Sequence, residues 1–373
     1  MRVAFCAVAA AVLLLYARHR RRNDVTQLLT IIVVTSPSRS CPSTRLLQRV
    51  FASFALVPGL QECRKIIVAD GFTVSERRSH KRGAILVEEQ AHYLEYIERV
   101  GELTRSHSDF QHCDLLALPS RHGFGWAVRE ALARVRTRFV LVVQHDRAFL
   151  RAVDLPQLLD ALQRDARVKY ILLPSKGTAH YQQTAEQAQG ALQSLRCSEL
   201  QLLQLNQWYD STHLTSAAHY EECVFGSGLV RRGDFFESGA FGAALKADVH
   251  ARGAAAHAAY GTWLLQEPGP PRRGFAGPGP TRDVVGHLDA RSAWSRWAED
   301  GTGGEGRAPD AREREELREV RADAKERKKA ARRAAQERAQ VKASLRGVPV
   351  SPAAAQARGL GGYYRQIAGL PAS

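Results

Sequence analysis

The chain has 373 residues, of which 45% are hydrophobic, an ordinary fraction for a globular protein with one large domain and additional segments. Its formal net charge of +15 favours an anionic partner such as a phosphate group, a nucleic acid or a membrane surface, without choosing among them. The six cysteines stand singly, without a CxxC pair, which argues against a zinc–cysteine site and implies no disulfide framework.

The amino terminus carries an apolar segment, residues 3–16, followed by a basic cluster at residues 18–22. The apolar segment has about 14 residues, whereas a helix that spans a bilayer requires roughly 20. The pattern is typical of a signal-peptide core, a short signal anchor or an organelle presequence. We therefore interpret residues 1–24 as an anchor or targeting segment. We expect a membrane location, such as the Golgi or another secretory membrane, with a cytoplasmic or plastid location as the alternative.

The first half of the chain predicts alternating strands and helices. Short apolar runs bounded by polar residues predict strands at residues 28–35, 65–69, 114–118, 139–143 and 170–173. Apolar residues at helical intervals predict helices at residues 43–54, 88–103, 123–135 and 156–162. A strand, a helix and a second strand in close succession form a βαβ unit, which implies a parallel sheet.

The second half of the chain is less regular. We predict a helix over residues 184–205, a strand over 223–230 with a glycine break, and a helix over 254–265. Residues 284–289 form a short apolar run that ends on a histidine and an aspartate. Residues 301–373 are rich in Ala, Arg, Lys and Glu, with few large apolar side chains. This composition predicts a charged tail, helical (as a single helix or coiled coil) or disordered, and without a core.

Polar side chains follow three of the predicted strands directly. Thr35 and Ser36 end the first strand, Asp70 follows the second, and Gln144-His145-Asp146 follow the strand at 139–143. In an open α/β sheet, ligands gather at the carboxyl ends of the strands, so we expect these groups to lie at one site. A carboxylate such as Asp146 is an oxygen ligand suited to Mg²⁺ or Mn²⁺.

The segment from Gly123 to Asp146 resembles nucleotide-sugar glycosyltransferases of the A-type fold, particularly the large family-two-like group. Residues 123–125 match the glycine-rich turn of that group, and residues 127–130 match its Ala-Arg-Asn helix, with Glu130 in place of Asn. Gln144-His145-Asp146 stands where the group has Asp-x-Asp, so the first carboxylate is missing. The resemblance covers residues 28–174 and extends weakly to residue 291.

The resemblance implies a Rossmann-like, three-layer α/β/α sheet and a transferase activity. The enzyme would move a sugar from a nucleotide-diphosphate sugar to a hydroxyl of a carbohydrate or glycoconjugate acceptor. It implies a domain at residues 25–300, with a nucleotide-binding half at 25–175 and an acceptor half at 176–300, before the tail. It also implies Mn²⁺ or Mg²⁺ as a cofactor, because a divalent cation neutralises the charge of the departing diphosphate.

The resemblance also implies roles for individual residues. Asp146 is expected to bind the metal, and His287 resembles a late histidine that completes the metal shell. Contacts with the nucleotide are expected from Thr35, Ser36, Asp70, Gln144 and His145. Arg129 is expected either to steady a phosphate or to hold Asp146 by a fork-shaped pair.

The catalytic base is less defined than the nucleotide site. An inverting enzyme needs a carboxylate that deprotonates the acceptor hydroxyl, and the usual late Glu-Asp pair of the group has no clear counterpart. The candidates for this role are Glu221, Glu222, Asp234 and Glu237. Trp208 and Trp263 either stack on a sugar or pack in the core.

Two other functions stay open from the sequence. A nucleotidyltransferase on a related sheet would need a glycine-rich, basic phosphate loop after the first strand. Residues 35–38 match such a loop poorly, and Arg39 is the nearest cation. A non-catalytic protein could instead bind anions through the charged tail, although we do not expect nucleic acid as a partner.

Overall fold

The computed structural model describes residues 24–80, 83–266, 272–273, 280–281 and 283–288. The chain divides into two compact units, Met1–Arg296 and Trp297–Ser373, and every described residue belongs to the first. The apolar segment at residues 3–16 and the charged tail lie outside the described residues, and the domain limits stay predictions. Within the described part, no helix combines the length and the apolar character that crossing a membrane requires.

The strands supply the central layer of the fold. Their bounds are β1 Leu29–Thr35, β2 Arg64–Ala69, β3 Thr73–Val74, β4 Ala84–Ile85, β5 Cys113–Ala117, β6 Phe139–Gln144, β7 Arg147–Phe149, β8 Tyr170–Leu172, β9 Ser194–Cys197, β10 Leu200–Gln204, β11 His213–Ser216, β12 Thr262–Gln266, β13 Arg272–Arg273, β14 Pro280–Thr281 and β15 Val285–His287. Nine of them form one sheet in the order β5-β2-β1-β6-β11-β8-β12-β10-β9. The remaining strands form the two-stranded pairs β3–β4, β7–β15 and β13–β14.

The half of the sheet that contains β5, β2, β1 and β6 is parallel. β1 pairs in parallel with β2 on one side and with β6 on the other, and β2 pairs in parallel with β5. β11 then runs antiparallel between β6 and β8, and β10 runs antiparallel between β12 and β9. Every residue of β1 is buried, as its continuous apolar run predicts for a strand covered on both faces.

Helices cover both faces of the sheet. Their bounds are α1 Arg45–Ser53, α2 Val87–Ser106, α3 Phe124–Leu132, α4 Leu155–Arg164, α5 Tyr181–Gln189, α6 Ala240–Arg252 and α7 Ala254–Tyr260. Ile31 and Val33 of β1 belong to one hydrophobic cluster with α1, α2 and α4. Ile32 and Val34 belong to a second cluster with α3 and α6. Alternate residues of one strand therefore face different helical layers, and the predicted three-layer α/β/α sheet is confirmed.

Three predictions in the second half of the chain are wrong. The helix predicted over 184–205 ends at Gln189, and a β9–β10 hairpin follows because Leu202 and Leu203 of β10 pair with β12. No strand forms over 223–230, because residues 223–225 end a π-helix, Tyr220–Phe225, and a turn follows it. The helix predicted over 254–265 ends at Tyr260, where Gly261 adopts the left-handed conformation and β12 begins. Tertiary pairing overrode local propensity in the first case.

The ribbon of β7 and β15 joins distant parts of the chain beside the main sheet. In this antiparallel pair, His287 lies opposite Arg147 and Val285 lies opposite Phe149. The backbone NH of Leu150 donates to Val284 O at 2.8 Å. β7 follows β6 after only two residues, so this ribbon brings residues 283–288 to the carboxyl edge of the parallel strands.

Candidate functional site

A cavity of about 1040 Å³ lies at the carboxyl ends of β1, β2 and β6. The residues that directly follow these strands line it, as expected for a ligand site in an open α/β sheet. Among the predicted site residues, the lining includes Ser36, Asp70, Gln144, His145, Asp146 and His287. The structure therefore brings six of the predicted residues to one cavity, from four separate segments of the chain.

Asp146 and His287 form a close pair in this cavity. The distance from His287 Nε2 to Asp146 Oδ2 is 3.0 Å, and the Asp146 side chain is 20% exposed. The backbone NH of Leu288 also donates to Asp146 O at 2.7 Å, which fixes the register of the two segments. Burial raises the pKa of Asp146, but the hydrogen bond from His287 and the charges of His145 and Arg147 outweigh it and hold the pKa at about 2. The Asp146 carboxylate is therefore ionised at neutral pH and available to bind a cation.

Asp146 and His287 could together hold a divalent cation. Asp146 Oδ2 and His287 Nε2 would bind it once the proton of their hydrogen bond had left Nε2, because metal ligands must be deprotonated. Asp146 Oδ1 is buried and makes no hydrogen bond within the described chain. Across the described residues, no cluster of three or more His, Cys, Asp or Glu side chains could hold an ion by itself. Substrate oxygens or water would complete the coordination, as is common for Mg²⁺.

Asp70 organises the cavity wall through its side chain. Asp70 Oδ1 accepts a hydrogen bond from the NH of His122 at 2.7 Å, and Oδ2 accepts one from the NH of Gly123 at 2.9 Å. Burial raises the pKa of Asp70, while these two donors and the charges of His122 and Arg121 oppose the rise. The carboxylate is only 4% exposed, so its first task is to fix the turn that begins α3. A nucleotide contact would use its remaining lone pairs.

The first two residues of the Gln-His-Asp triplet are anchored by the fold. Gln144 Nε2 donates to Asp210 O at 2.9 Å, and the NH of His145 donates to Val34 O at 3.0 Å. Both residues line the cavity. Gln144 thus stands where the Asp-x-Asp pattern has its first carboxylate. The nitrogen of its side-chain amide is already used in the hydrogen bond to Asp210 O.

Thr35 and Arg129 lie elsewhere than predicted. Thr35 is 1% exposed, its Oγ1 lies 2.8 Å from the hydroxyl of Tyr96, and it is not part of the lining. The guanidinium of Arg129 lies 4.7 Å from the ring centre of Trp126 and 5.5 Å from that of Phe225. Arg129 is exposed and does not pair with Asp146, because α3 leaves the cavity after Phe124 and turns this residue outward. The predicted contact of Arg129 with Asp146 is therefore wrong.

The predicted catalytic carboxylates Glu222 and Asp234 do not line the cavity. Glu222 is exposed on the π-helix. Asp234 Oδ2 accepts a hydrogen bond from the NH of Arg231 at 3.1 Å and so stabilises a turn. Asp234 O also accepts a hydrogen bond from the NH of Gly125 at 3.1 Å, so this segment packs against the first turn of α3, which apolar periodicity could not reveal.

The buried Asp210 and the partly exposed Glu237 form an acidic pair near the triplet. The Asp210 carboxylate accepts hydrogen bonds from the NH groups of Phe236 and Glu237, both at 3.1 Å. The NH of Asp210 lies 3.5 Å from Glu237 Oε2. Burial and the charge of Glu237 raise the pKa of Asp210 to about 7, against the effect of the two donors. The charge of Glu237 also acts on Arg147, which lines the cavity.

The cavity also contains cations that were not assigned to the site from the sequence. They are Arg39, Arg78, Arg121 and Arg147. Arg78 pairs with Glu89 at 2.7 Å, and Arg121 donates to Gly233 O at 3.3 Å. The sequence could have indicated Arg147 as a site residue, since it directly follows Asp146. The other three lie in loops whose path the sequence pattern did not predict. Trp208 and Trp263 are 0% and 3% exposed and belong to the core.

No protein-family model matches the chain, and no curated protein is similar to it. It is similar to the structure of S. aureus TarS in complex with UDP-GlcNAc, with 14% identity, a TM-score of 0.32, and coverage of 52% of this chain and 47% of that chain. The chain thus spans about half of the TarS structure.

Two further solved structures are similar. One is the mannosyltransferase PcManGT from Pyrobaculum calidifontis in complex with GDP-Man and Mn²⁺, with 14% identity, a TM-score of 0.39, and coverage of 82% of this chain and 75% of that chain. The other is GalNAc-T7 with UDP, GalNAc and Mn²⁺, with 9% identity, a TM-score of 0.38, and coverage of 70% and 43%.

Proposed function

We propose that the protein is a glycosyltransferase that moves a sugar from a nucleotide-diphosphate sugar to a hydroxyl acceptor, with a divalent cation. The observation that supports this most is the convergence of Asp70, Asp146 and His287 on one cavity at the carboxyl edge of the parallel strands. The cavity volume of about 1040 Å³ is sufficient for a nucleotide sugar, since small-molecule sites occupy roughly 300–1,000 Å³.

Asp146 and His287 would hold the cation in this proposal. When bound, the cation supplies neutralisation of the negative charge on the leaving diphosphate. The chain contributes the placement, because the β7–β15 ribbon fixes the two side chains at 3.0 Å from each other. Asp70 contributes indirectly by holding the Gly123 turn, which forms part of the same wall.

Glu237 is our candidate for the base that deprotonates the acceptor hydroxyl. Glu237, Glu222 and Asp234 are all absent from the lining. Glu237 is favoured by its contact with Asp210, whose NH lies 3.5 Å from Glu237 Oε2 and whose carbonyl oxygen accepts a hydrogen bond from Gln144 of the lining. A carbohydrate or glycoconjugate acceptor and a location at a secretory-pathway membrane are further parts of the proposal, and they rest on the sequence.

The test measures UDP and GDP binding by the full chain in Mn²⁺ and in EDTA, together with Mn²⁺-dependent hydrolysis of a panel of sugar nucleotides. We expect Mn²⁺ to tighten nucleotide binding and Asp146→Asn to abolish that gain. Asp114→Asn is the matched control and should retain the gain, because Asp114 is 52% exposed and is not part of the lining.

Two results would contradict the proposal. One is nucleotide binding that is absent under both conditions. The other is binding of anions that falls steeply with salt and survives both Asp70→Ala and Asp146→Ala, which would favour a non-catalytic basic protein. Release of pyrophosphate from a nucleoside triphosphate would instead identify a nucleotidyltransferase.

A further inference from the structure

Arg147 occupies an unusual position in the cavity. It is the first residue of β7, directly after Asp146, and it lies opposite His287 in the β7–β15 ribbon. Its side chain lines the cavity together with Asp146 and His287. The same two-stranded ribbon therefore presents one carboxylate, one imidazole and one guanidinium to the same space.

The guanidinium of Arg147 has no hydrogen-bond or ion-pair partner among the described residues. Its Nε is buried and makes no hydrogen bond, whereas its two terminal nitrogens are accessible to solvent. Asp146 and Glu237 are the acidic groups whose charges act on it, yet neither lies within ion-pairing distance in the described structure. By contrast, Arg78 has a carboxylate partner and Arg121 has a backbone partner.

The buried Nε–H of Arg147 has given up water without a replacement, which is costly, whereas the four N–H donors of the two terminal nitrogens remain accessible. An oxyanion that enters the cavity can accept two of these accessible donors in a fork-shaped contact. A diphosphate oxygen is such an acceptor. The β7–β15 pairing fixes the main chain of Arg147, so only its side chain has to be ordered when the ligand arrives.

The local charge also favours an anion at this position. An Asp-x-Asp triplet carries two carboxylates, whereas residues 144–147 carry one carboxylate and one guanidinium. Gln144, in the place of the first carboxylate, uses its amide nitrogen to contact Asp210 O. The site therefore attracts a cation less strongly, and a phosphate more strongly, than an Asp-x-Asp site would.

We propose that Arg147 binds the diphosphate of the donor directly, so that nucleotide binding has two separable components. One component requires the cation and depends on Asp146 and His287. The other is independent of the cation and depends on Arg147. This inference rests on the proposed function, because it assigns the anion in the cavity as a nucleoside diphosphate.

The experiment measures UDP, GDP and uridine binding to the full chain by calorimetry, in Mn²⁺ and in EDTA, for the wild type and four variants. We expect Arg147→Gln to weaken UDP or GDP binding in EDTA by about ten- to hundredfold, the range for a hydrogen bond to a charged group. The variant should keep the Mn²⁺ gain and its uridine affinity, since uridine has no phosphate. Asp146→Asn should do the reverse: it should retain binding in EDTA and lose the gain.

Two variants make the result specific. Arg147→Lys keeps the charge but cannot make the fork-shaped contact, so its UDP or GDP affinity in EDTA should lie between those of the wild type and Arg147→Gln. It also tests the role of Arg147 if the glutamine variant fails to fold. Arg164→Gln removes an exposed arginine of α4 that pairs with Asp160, and it should bind all ligands as the wild type does.

The outcomes separate this inference from the proposed function. If the wild type binds UDP or GDP in EDTA and Arg147→Gln and Arg147→Lys bind equally well, the role of Arg147 is overturned while the proposed function stands. If the wild type binds nucleotide only with Mn²⁺, the cation-independent component does not exist and the inference is again overturned. If the wild type binds neither nucleotide under any condition, both proposals are wrong.

Discussion

His287 Nε2 lies 3.0 Å from Asp146 Oδ2, although β15 brings His287 from the last described segment of the chain. Replacing His287 by alanine should reduce the Mn²⁺ gain in UDP affinity by about ten- to hundredfold, the usual cost of losing a group that supports or completes a metal shell. Calorimetry with and without Mn²⁺ checks this. His250→Ala, an exposed histidine of α6, is the control, and an unchanged gain in His287→Ala would contradict a role for His287.

Asp70 is predicted to stabilise the fold as well as the site. Asp70→Asn leaves one of the NH groups of His122 and Gly123 without an acceptor. Loss of a hydrogen bond to a buried charged group costs about 2 kcal/mol of unfolding free energy. Denaturant titration measures this, with Asp114→Asn as the control, because Asp114 is 52% exposed and its pair with Arg64 contributes little. Equal stability losses in both variants would contradict the structural role of Asp70.

Gly123 is predicted to tolerate no side chain. Its φ is +78°, and an added Cβ would lie 2.5 Å from Gly233 Cα. Gly190 is a matched control, because its φ is +84° and an added Cβ would meet nothing within 4 Å. Gly190→Ala should show backbone strain alone, about 1–3 kcal/mol, and Gly123→Ala should lose more stability because of the added clash. Thermal or denaturant unfolding compares the two variants. Equal losses of stability would contradict the clash, because they would show that the backbone at Gly233 moves away from Gly123 at little cost.

Asp210 is predicted to make stability fall as pH rises. Its pKa is about 7 in the folded chain, because burial raises it, and about 4 in an unfolded chain. Between these values the folded state binds one more proton, so the free energy of unfolding decreases with rising pH, by on the order of 4 kcal/mol in total. Asp210→Asn removes this slope.

Denaturant unfolding of the wild type and Asp210→Asn between pH 4.5 and 7.5, roughly the window between the two pKa values, checks the prediction. Burial lowers the pKa of His213 and His219 to about 4, which gives the opposite slope, but both histidines are present in both proteins and cancel in the difference. A difference that does not vary with pH would mean that Asp210 is already ionised throughout.

The sequence predicted the parallel half of the fold well, because its strands are apolar runs buried on both faces. β1, β2 and β6 and the polar residues that follow them lie where the pattern puts them. It failed where tertiary pairing decides the structure, as in the β9–β10 hairpin, whose leucines fit a helix equally well. Arg129 was misplaced for a related reason: the register of α3 is visible in the sequence, but the direction in which its exposed face points is not.

The site was predicted only in part, because tertiary contacts rather than a local sequence pattern position some of its residues. Residues that directly follow a strand inherit their position from it, so Asp70 and Asp146 could be located. Arg39, Arg78 and Arg121 reach the cavity from loops. Glu237 is positioned by its contacts with Asp210, which no local pattern encodes.

The β7–β15 ribbon has a consequence for synthesis of the protein. β6 and Asp146 emerge from the ribosome early, but the imidazole opposite Asp146 belongs to a segment made far later. In a nascent chain that has not yet reached residue 287, Asp146 therefore lacks its imidazole partner. If the pair holds the ion as proposed, ion binding would be withheld during translation until that residue has emerged.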